Sequence, residues 1–242
     1  MAQDEHTLKR FDNELETIFA QTMQMGGLVE RQLMDAMQAL SCSNSSLARK
    51  IIDQDKQVNQ FEVEIDALCC NALACYKPTA GDLRRIVTAT KIIVHLERIG
   101  DEAKKIAHMT ERRTRQYELA MPRFIEIKLV AEHTQEILKE VLDSYARQDS
   151  LSACNIIVRH DIAKEEFNGI LRQIIKFMTE TPHTISTSLD FFLITKAIER
   201  IGDHVKYVAE LVAQQSNRYN AAQCQPDYEP AKLLVERTVQ AN

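Results

Sequence analysis

Tryptophan is absent from the 242 residues, and glycine and proline number only 6 and 5. So few helix breakers leave room for long uninterrupted helices. Long apolar runs are lacking too. The longest stretches without Asp, Glu, Lys or Arg are Thr17–Val29 and Ala36–Ala48, 13 residues each. Both contain several polar residues, and neither is long enough to cross a bilayer. The N-terminus, Met-Ala-Gln-Asp-Glu-His, has no basic segment leading into an apolar one, so no secretory signal is expected. A positive excess is missing as well. The formal net charge is −5, which argues against a protein whose main partner is nucleic acid. The local basic run Arg112-Arg113-Thr114-Arg115 falls where a helix is expected to end, a position the helix dipole favours for cations.

The six cysteines (Cys42, Cys69, Cys70, Cys75, Cys154 and Cys224) show no C-x-x-C spacing. They read as small buried hydrophobes of a cytoplasmic protein, not as disulfides or a zinc site. No H-E-x-x-H, P-loop, G-x-G-x-x-G or nucleophile elbow occurs, which argues against the common enzyme classes. The Glu-x-x-His spacing of di-iron bundles occurs only at Glu180–His183, where Pro182 interrupts it. His204 adjoins Asp203 but points elsewhere on its helix, and His95 and His108 have no evident partner along the chain.

What is present is helix-forming material: 45% of residues are hydrophobic, enough for a core. Six helices are expected, over about 6–40 (loosened at Gly26-Gly27), 47–76, 81–113, 122–146, 150–181 and 186–215. The stretch Ser41–Ser46 offers N-caps to the second and Asp149 caps the fifth, while Pro78 stops the second and Pro182 the fifth. Pro122 suits the first turn of the fourth. The tail, with Pro226 and Pro230, is expected to be loosely ordered apart from a short helix over Lys232–Val239.

The pentapeptide Glu-Arg-Ile-Gly-Asp occurs at Glu97–Asp101 and again at Glu199–Asp203, each copy in the third long helix of its half. Asp55-Lys56-Gln57-Val58 and Asp161-Ile162-Ala163-Lys164 occupy corresponding places upstream. An all-α fold of two tandem, duplicated three-helix bundles follows, over residues 1–114 and 115–216, with 217–242 as the tail.

Glu97 and Asp101 share a helix face, as do Glu199 and Asp203. Two more acidic pairs have this spacing: Glu62 with Asp66 and Asp161 with Glu165. Helical phase sets the pentapeptide acids away from the stripes Ile92/Leu96/Ile99/Ala103/Ile106 and Ile194/Ile198/Ile201/Val205/Val208, which makes them surface or groove groups. Like charges at this spacing cost a helix about 0.2–0.5 kcal/mol per pair, and a helical glycine such as Gly100 or Gly202 costs about 0.5–1 kcal/mol relative to alanine. A segment that accepts both costs twice is a candidate site for hard cations such as Mg²⁺, Ca²⁺, Mn²⁺ or iron. The competing account is a solvated face, with Lys105 placed for Asp101, Lys206 for Asp203 and Lys196 for Glu199.

Helical halves that each carry Glu-Arg-Ile-Gly-Asp resemble the PhoU family. Lys77-Pro78-Thr79-Ala80-Gly81-Asp82-Leu83-Arg84 resembles its first half, and Ile185 to His204 its second. The resemblance spans roughly Leu8 to Val212. It implies a negative regulator of the phosphate regulon with no enzymatic activity. Such a regulator couples the ATPase of the phosphate ABC transporter (PstB) to the sensor histidine kinase PhoR at the inner face of the cytoplasmic membrane, as a homodimer. It also implies E/D-x-x-x-D motifs that hold Mg, Mn, Zn or Fe. Glu97, Asp101, Glu199, Asp203, Glu62 and Asp66 match that pattern. In the second half Asn168 and Arg172 stand where Glu62 and Asp66 stand in the first, leaving that cluster to Asp161 and Glu165. The alternative is a carboxylate-rich metal-binding bundle, storing iron or acting as a metalloenzyme.

Overall fold

The protein is described from a computed structural model covering residues 2–114 and 124–215, with side-chain detail for 9–112 and 125–215. Six helices make up the described chain: α1 (Ala2–Ser41), α2 (Ser45–Cys75), α3 (Ala80–Thr114), α4 (Phe124–Arg147), α5 (Ser150–Glu180) and α6 (Ile185–Gln215), with a 3₁₀ turn at Pro182–Thr184. The expected tail, its short helix and Pro122 lie outside the described residues.

Short polar turns set the helix order. Asn44 caps α2 by accepting from the Leu47 N–H at 3.1 Å, and Asp149 caps α5 by accepting from the Leu151 and Ser152 N–H groups at 3.1 Å each. The residue before each cap, Ser43 or Gln148, takes a left-handed conformation, with φ of 50° and 53°. The same reversal is thus built twice from different residues. At the other ends Tyr76, two residues before Pro78, is extended, and α5 stops just ahead of Pro182.

α1, α2 and α3 pack on one another, and so do α4, α5 and α6. The two bundles join where α3 lies along α6 and α1 along α4. The stripes expected for α3 and α6, from Ile92 to Ile106 and from Ile194 to Val208, are buried throughout. Each such Ile, Leu or Val contributes about 1.5–3 kcal/mol through burial.

Two expectations are corrected. α1 runs unbroken through Gly26-Gly27. Gly26 is buried where the Leu142 side chain of α4 nests, and a Cβ there would meet Leu142 Cδ2 at 2.6 Å. The glycine serves close packing rather than a bend. The cysteines divide as well: Cys69 is buried, with its thiol pushed up to about 12, while Cys42, Cys70 and Cys75 are exposed. Cys154 is buried, and Cys224 lies outside the described residues.

Candidate functional site

The acidic pairs of the first half come together on the faces that α2 and α3 turn to one another. Glu97 is largely covered, its side chain 15% exposed, while Asp101 keeps 29%. Glu97 is held above the ordinary carboxylate range, first by burial and then by the charge of Asp101. Arg98 opposes this, and Glu62 and Asp55 add to it. Glu62 is raised too, by burial first, with Arg98 opposing and Asp66 and Asp101 adding. Asp66 stays exposed. These carboxylates therefore share one electrostatic field, as the helix spacing predicted.

At its inner edge stands Asp55, a buried acid that spacing did not single out. Its carboxylate accepts from Lys104 Nζ at 2.6 Å and from Gln32 Nε2 at 3.4 Å. Lys104 also reaches Asp101 at 3.8 Å. The ammonium is held above the usual lysine range, first by that hydrogen bond to Asp55. Gly100 makes this approach possible: a Cβ there would meet Gln32 Oε1 at 3.2 Å, Val58 at 3.3 Å and Asp55 at 3.7 Å.

The second half repeats the pattern with other partners. Lys206 donates to Asp161 at 2.7 Å, as Lys104 does to Asp55. Asp203 meets His160 Nε2 at 3.3 Å and Lys164 at 3.7 Å. Its carboxyl lies below the ordinary range, first because of His160. His160 is buried against Gly202, where a Cβ would meet its ring at 3.3 Å. Glu165 stays exposed. Glu199 corrects the expectation of a surface group: only 7% of it is exposed, and it pairs with Lys196. Helical phase set it off the stripe, but it shares a helix face with Asp203, and that face turns to His160 of α5.

Two of the three lysine pairings expected of a solvated face are redirected. Lys105 turns to Glu102 at 2.8 Å rather than to Asp101, and Lys206 turns to Asp161 rather than to Asp203. Lys196 does meet Glu199. Across the seam between α3 and α6, Arg200 reaches the buried Glu102 at 3.4 Å. His95 and His204, without partners along the sequence, face each other there.

Among the described residues, no group of three or more His, Cys, Asp or Glu side chains is placed to hold a metal ion. In each half a lysine ammonium lies against an aspartate, Lys104 on Asp55 and Lys206 on Asp161. The site residues that spacing missed are Asp55, Lys104, Gln32, His160 and Glu102. A signal for two of them was present. The repeat extends to Glu-Arg-Ile-Gly-Asp-x-x-Lys in both halves, ending at Lys104 and Lys206, and Asp55 and Asp161 are identical at corresponding places.

Residues 22–110 and 127–212 each match the family model of the PhoU domain. The chain is 38% identical over 210 residues to the phosphate-specific transport system accessory protein PhoU of Escherichia coli (strain K12), covering 86% of each. It is 37% identical over 208 residues to the PhoU homolog of Pseudomonas aeruginosa, covering 86% of this chain and 85% of that one. The crystal structure of PhoU from Pseudomonas aeruginosa superposes with a TM-score of 0.82 at 36% identity, covering 85% of this chain and 98% of that one. The phosphate transport system regulatory protein PhoU from Streptococcus pneumoniae shares the fold, with a TM-score of 0.78 at 22% identity over 86% of this chain and 97% of that one.

Proposed function

The chain belongs to the PhoU family, and from that premise we propose that it represses the phosphate regulon when phosphate is plentiful. In this role it is a cytoplasmic homodimer without catalysis of its own. It is recruited to the inner face of the membrane by the ATPase of the phosphate ABC transporter, PstB, and by the sensor kinase PhoR. No helix among the described residues is long and apolar enough to cross a membrane, which suits recruitment through partners.

One observation carries the reading of the site. Glu62 and Glu97 are raised first by burial and then by neighbouring carboxylates, whose charge Arg98 answers only in part. A basic partner surface laid over Glu62, Asp66, Glu97 and Asp101 relieves that repulsion, so the unrelieved charge favours the bound state. Lys104 and Asp55 brace α3 against α2 beneath the face, and the gap over Gly100 lets them do so. A phosphate-dependent movement of the transporter is then passed to the kinase through a stiff helical body.

The test is alkaline phosphatase activity in a deletion strain grown with abundant phosphate. Constitutively high activity, brought down by a plasmid copy, is the expected outcome. Activity that stays repressed in the deletion strain removes the regulator reading.

A divalent cation (Mg, Mn, Zn or Fe) is the competing occupant of the same face, in a carboxylate-rich bundle that stores or uses metal. It would have to displace the Lys104 ammonium, which already lies against Asp55 and Asp101. Metal content of protein purified without chelator decides between the two. Stoichiometric metal that is lost in Asp101→Asn would replace the docking reading.

A further inference from the structure

The seam between α3 and α6 carries a pair of groups that the acidic faces do not use. We propose that His95 and His204 form a binding site for one transition-metal dication of the Zn²⁺, Ni²⁺ or Cu²⁺ class, which clamps the first bundle to the second. This site is separate from the docking face and does not rest on the regulatory reading.

The Nδ1 atoms of the two imidazoles stand 3.2 Å apart, and the ring centroids are 5.4 Å apart. The two nitrogens therefore lie between the rings, close enough to share one cation. Two metal–imidazole bonds of about 2.0–2.1 Å that open near the tetrahedral angle place their nitrogens about 3.3–3.4 Å apart. The pair is already within roughly 0.2 Å of that spacing, although it bridges 109 residues of sequence.

Without a cation, one proton is shared between the two nitrogens, and one ring must carry it on Nδ1. A dication takes the proton's place. The ring that carried it passes to the Nε2–H tautomer, and both Nδ1 lone pairs become ligands. Burial is the first cause that holds both imidazoles below their ordinary range, which favours the neutral ring over the imidazolium. Arg98 and Lys105 also lower His204, while Glu102 and Asp203 oppose them.

One buried acid favours positive charge between the rings. Glu102 is buried on the same seam. Its Oε1 accepts from Lys105 and Arg200, but its Oε2 has no hydrogen-bond partner in the protein. The Glu102 charge acts on His204, and a dication at that ring gains from it. Tyr207 stacks on His95 with centroids 5.2 Å apart and planes inclined by 21°, which holds that ring in place. Both imidazoles are only half-buried, so water can complete the coordination. Imidazole donors select Zn²⁺, Cu²⁺ and Ni²⁺ over Mg²⁺ and Ca²⁺.

The test uses the full chain freed of any polyhistidine tag. Zn²⁺ is titrated calorimetrically in excess Mg²⁺, and Cu²⁺ is added for electron paramagnetic resonance. The expected result is one Zn²⁺ per chain, a raised unfolding temperature, and superhyperfine structure from two nitrogens on the Cu²⁺ signal. His95→Gln and His204→Gln each lose the Zn²⁺ isotherm, whereas Glu97→Ala/Asp101→Ala keeps it. Absence of two-nitrogen coupling in the wild-type protein overturns the proposal, and that spectrum requires no variant to fold. Zn²⁺ binding that survives in both histidine variants overturns it equally.

Discussion

Glu97 and Glu199 hold the same place in the two copies of one pentapeptide, yet the fold treats them differently. Glu199 is buried and paired with Lys196. Glu97 is covered but sits among Asp101, Glu62 and Asp55, with Arg98 as its closest cation at 3.5 Å. A carboxyl whose folded-state value is raised supports folding only while protonated. That support is present below its ordinary value of 4.5 and is lost as pH rises through the folded-state value. At neutral pH, ionised Glu97 thus opposes folding. Glu97→Gln is expected to raise stability at pH 7 by about 0.2–0.5 kcal/mol, the size of one like-charge helix pair. Urea denaturation at pH 7 and at pH 4 checks this, because the gain should shrink at pH 4, where the wild-type carboxyl is itself protonated. An equal gain at both pH values, or a loss at pH 7, would mean that this acid is not strained. A residue that costs stability where it stands is what a surface retained for binding looks like.

At the scale of elements, most helix ends are legible because each rests on local chemistry. Asp149 and the Ser41–Ser46 stretch mark N-caps, and Pro78 and Pro182 mark stops. The Gly26-Gly27 pair was not legible. What decides it is Leu142, which belongs to another helix more than a hundred residues away. The two glycines now part company. A Cβ at Gly27 meets nothing within 4 Å, whereas at Gly26 it meets Leu142 Cδ2 at 2.6 Å. Gly27→Ala is expected to stabilise the protein by about 0.5–1 kcal/mol, the helix-interior difference between the two residues. Gly26→Ala should forfeit that gain by driving Leu142 off α1. Thermal melts of the two single variants check the order. If Gly26→Ala is the more stable, the α1–α4 packing is looser than the structure shows. The candidate site divides in the same way. The acidic pairs and the Asp55–Lys104 and Asp161–Lys206 pairs leave a repeated trace in the sequence. His160 against Asp203, and His95 against His204, leave none, because each histidine occurs in one half only and its partner lies on a distant helix.

For the whole molecule, the duplication supplies an internal control. α3 and α6 lie side by side, so both pentapeptides are presented by one rigid pair of helices, and their environments differ more than their sequences. In the first half the acids face one another with their charge only partly answered. In the second, His160 and Lys164 answer Asp203, and Lys196 answers Glu199. The carboxyl of Asp203 is depressed, so its contribution is present above the ordinary value of 3.8 and is lost as pH falls through the folded-state value. At neutral pH it therefore stabilises the fold, the opposite of Glu97. Glu97→Ala/Asp101→Ala should leave the urea midpoint close to wild type while releasing alkaline phosphatase from repression. Glu199→Ala/Asp203→Ala should lower stability by about 1–3 kcal/mol, since His160 is left buried without its acceptor, and should affect repression only as far as the protein is lost. Measuring stability and repression on both double variants separates binding from folding within one chain. If the second-half variant derepresses fully at unchanged abundance and stability, the docking face lies on α6, and the like-charge field of the first half has another purpose.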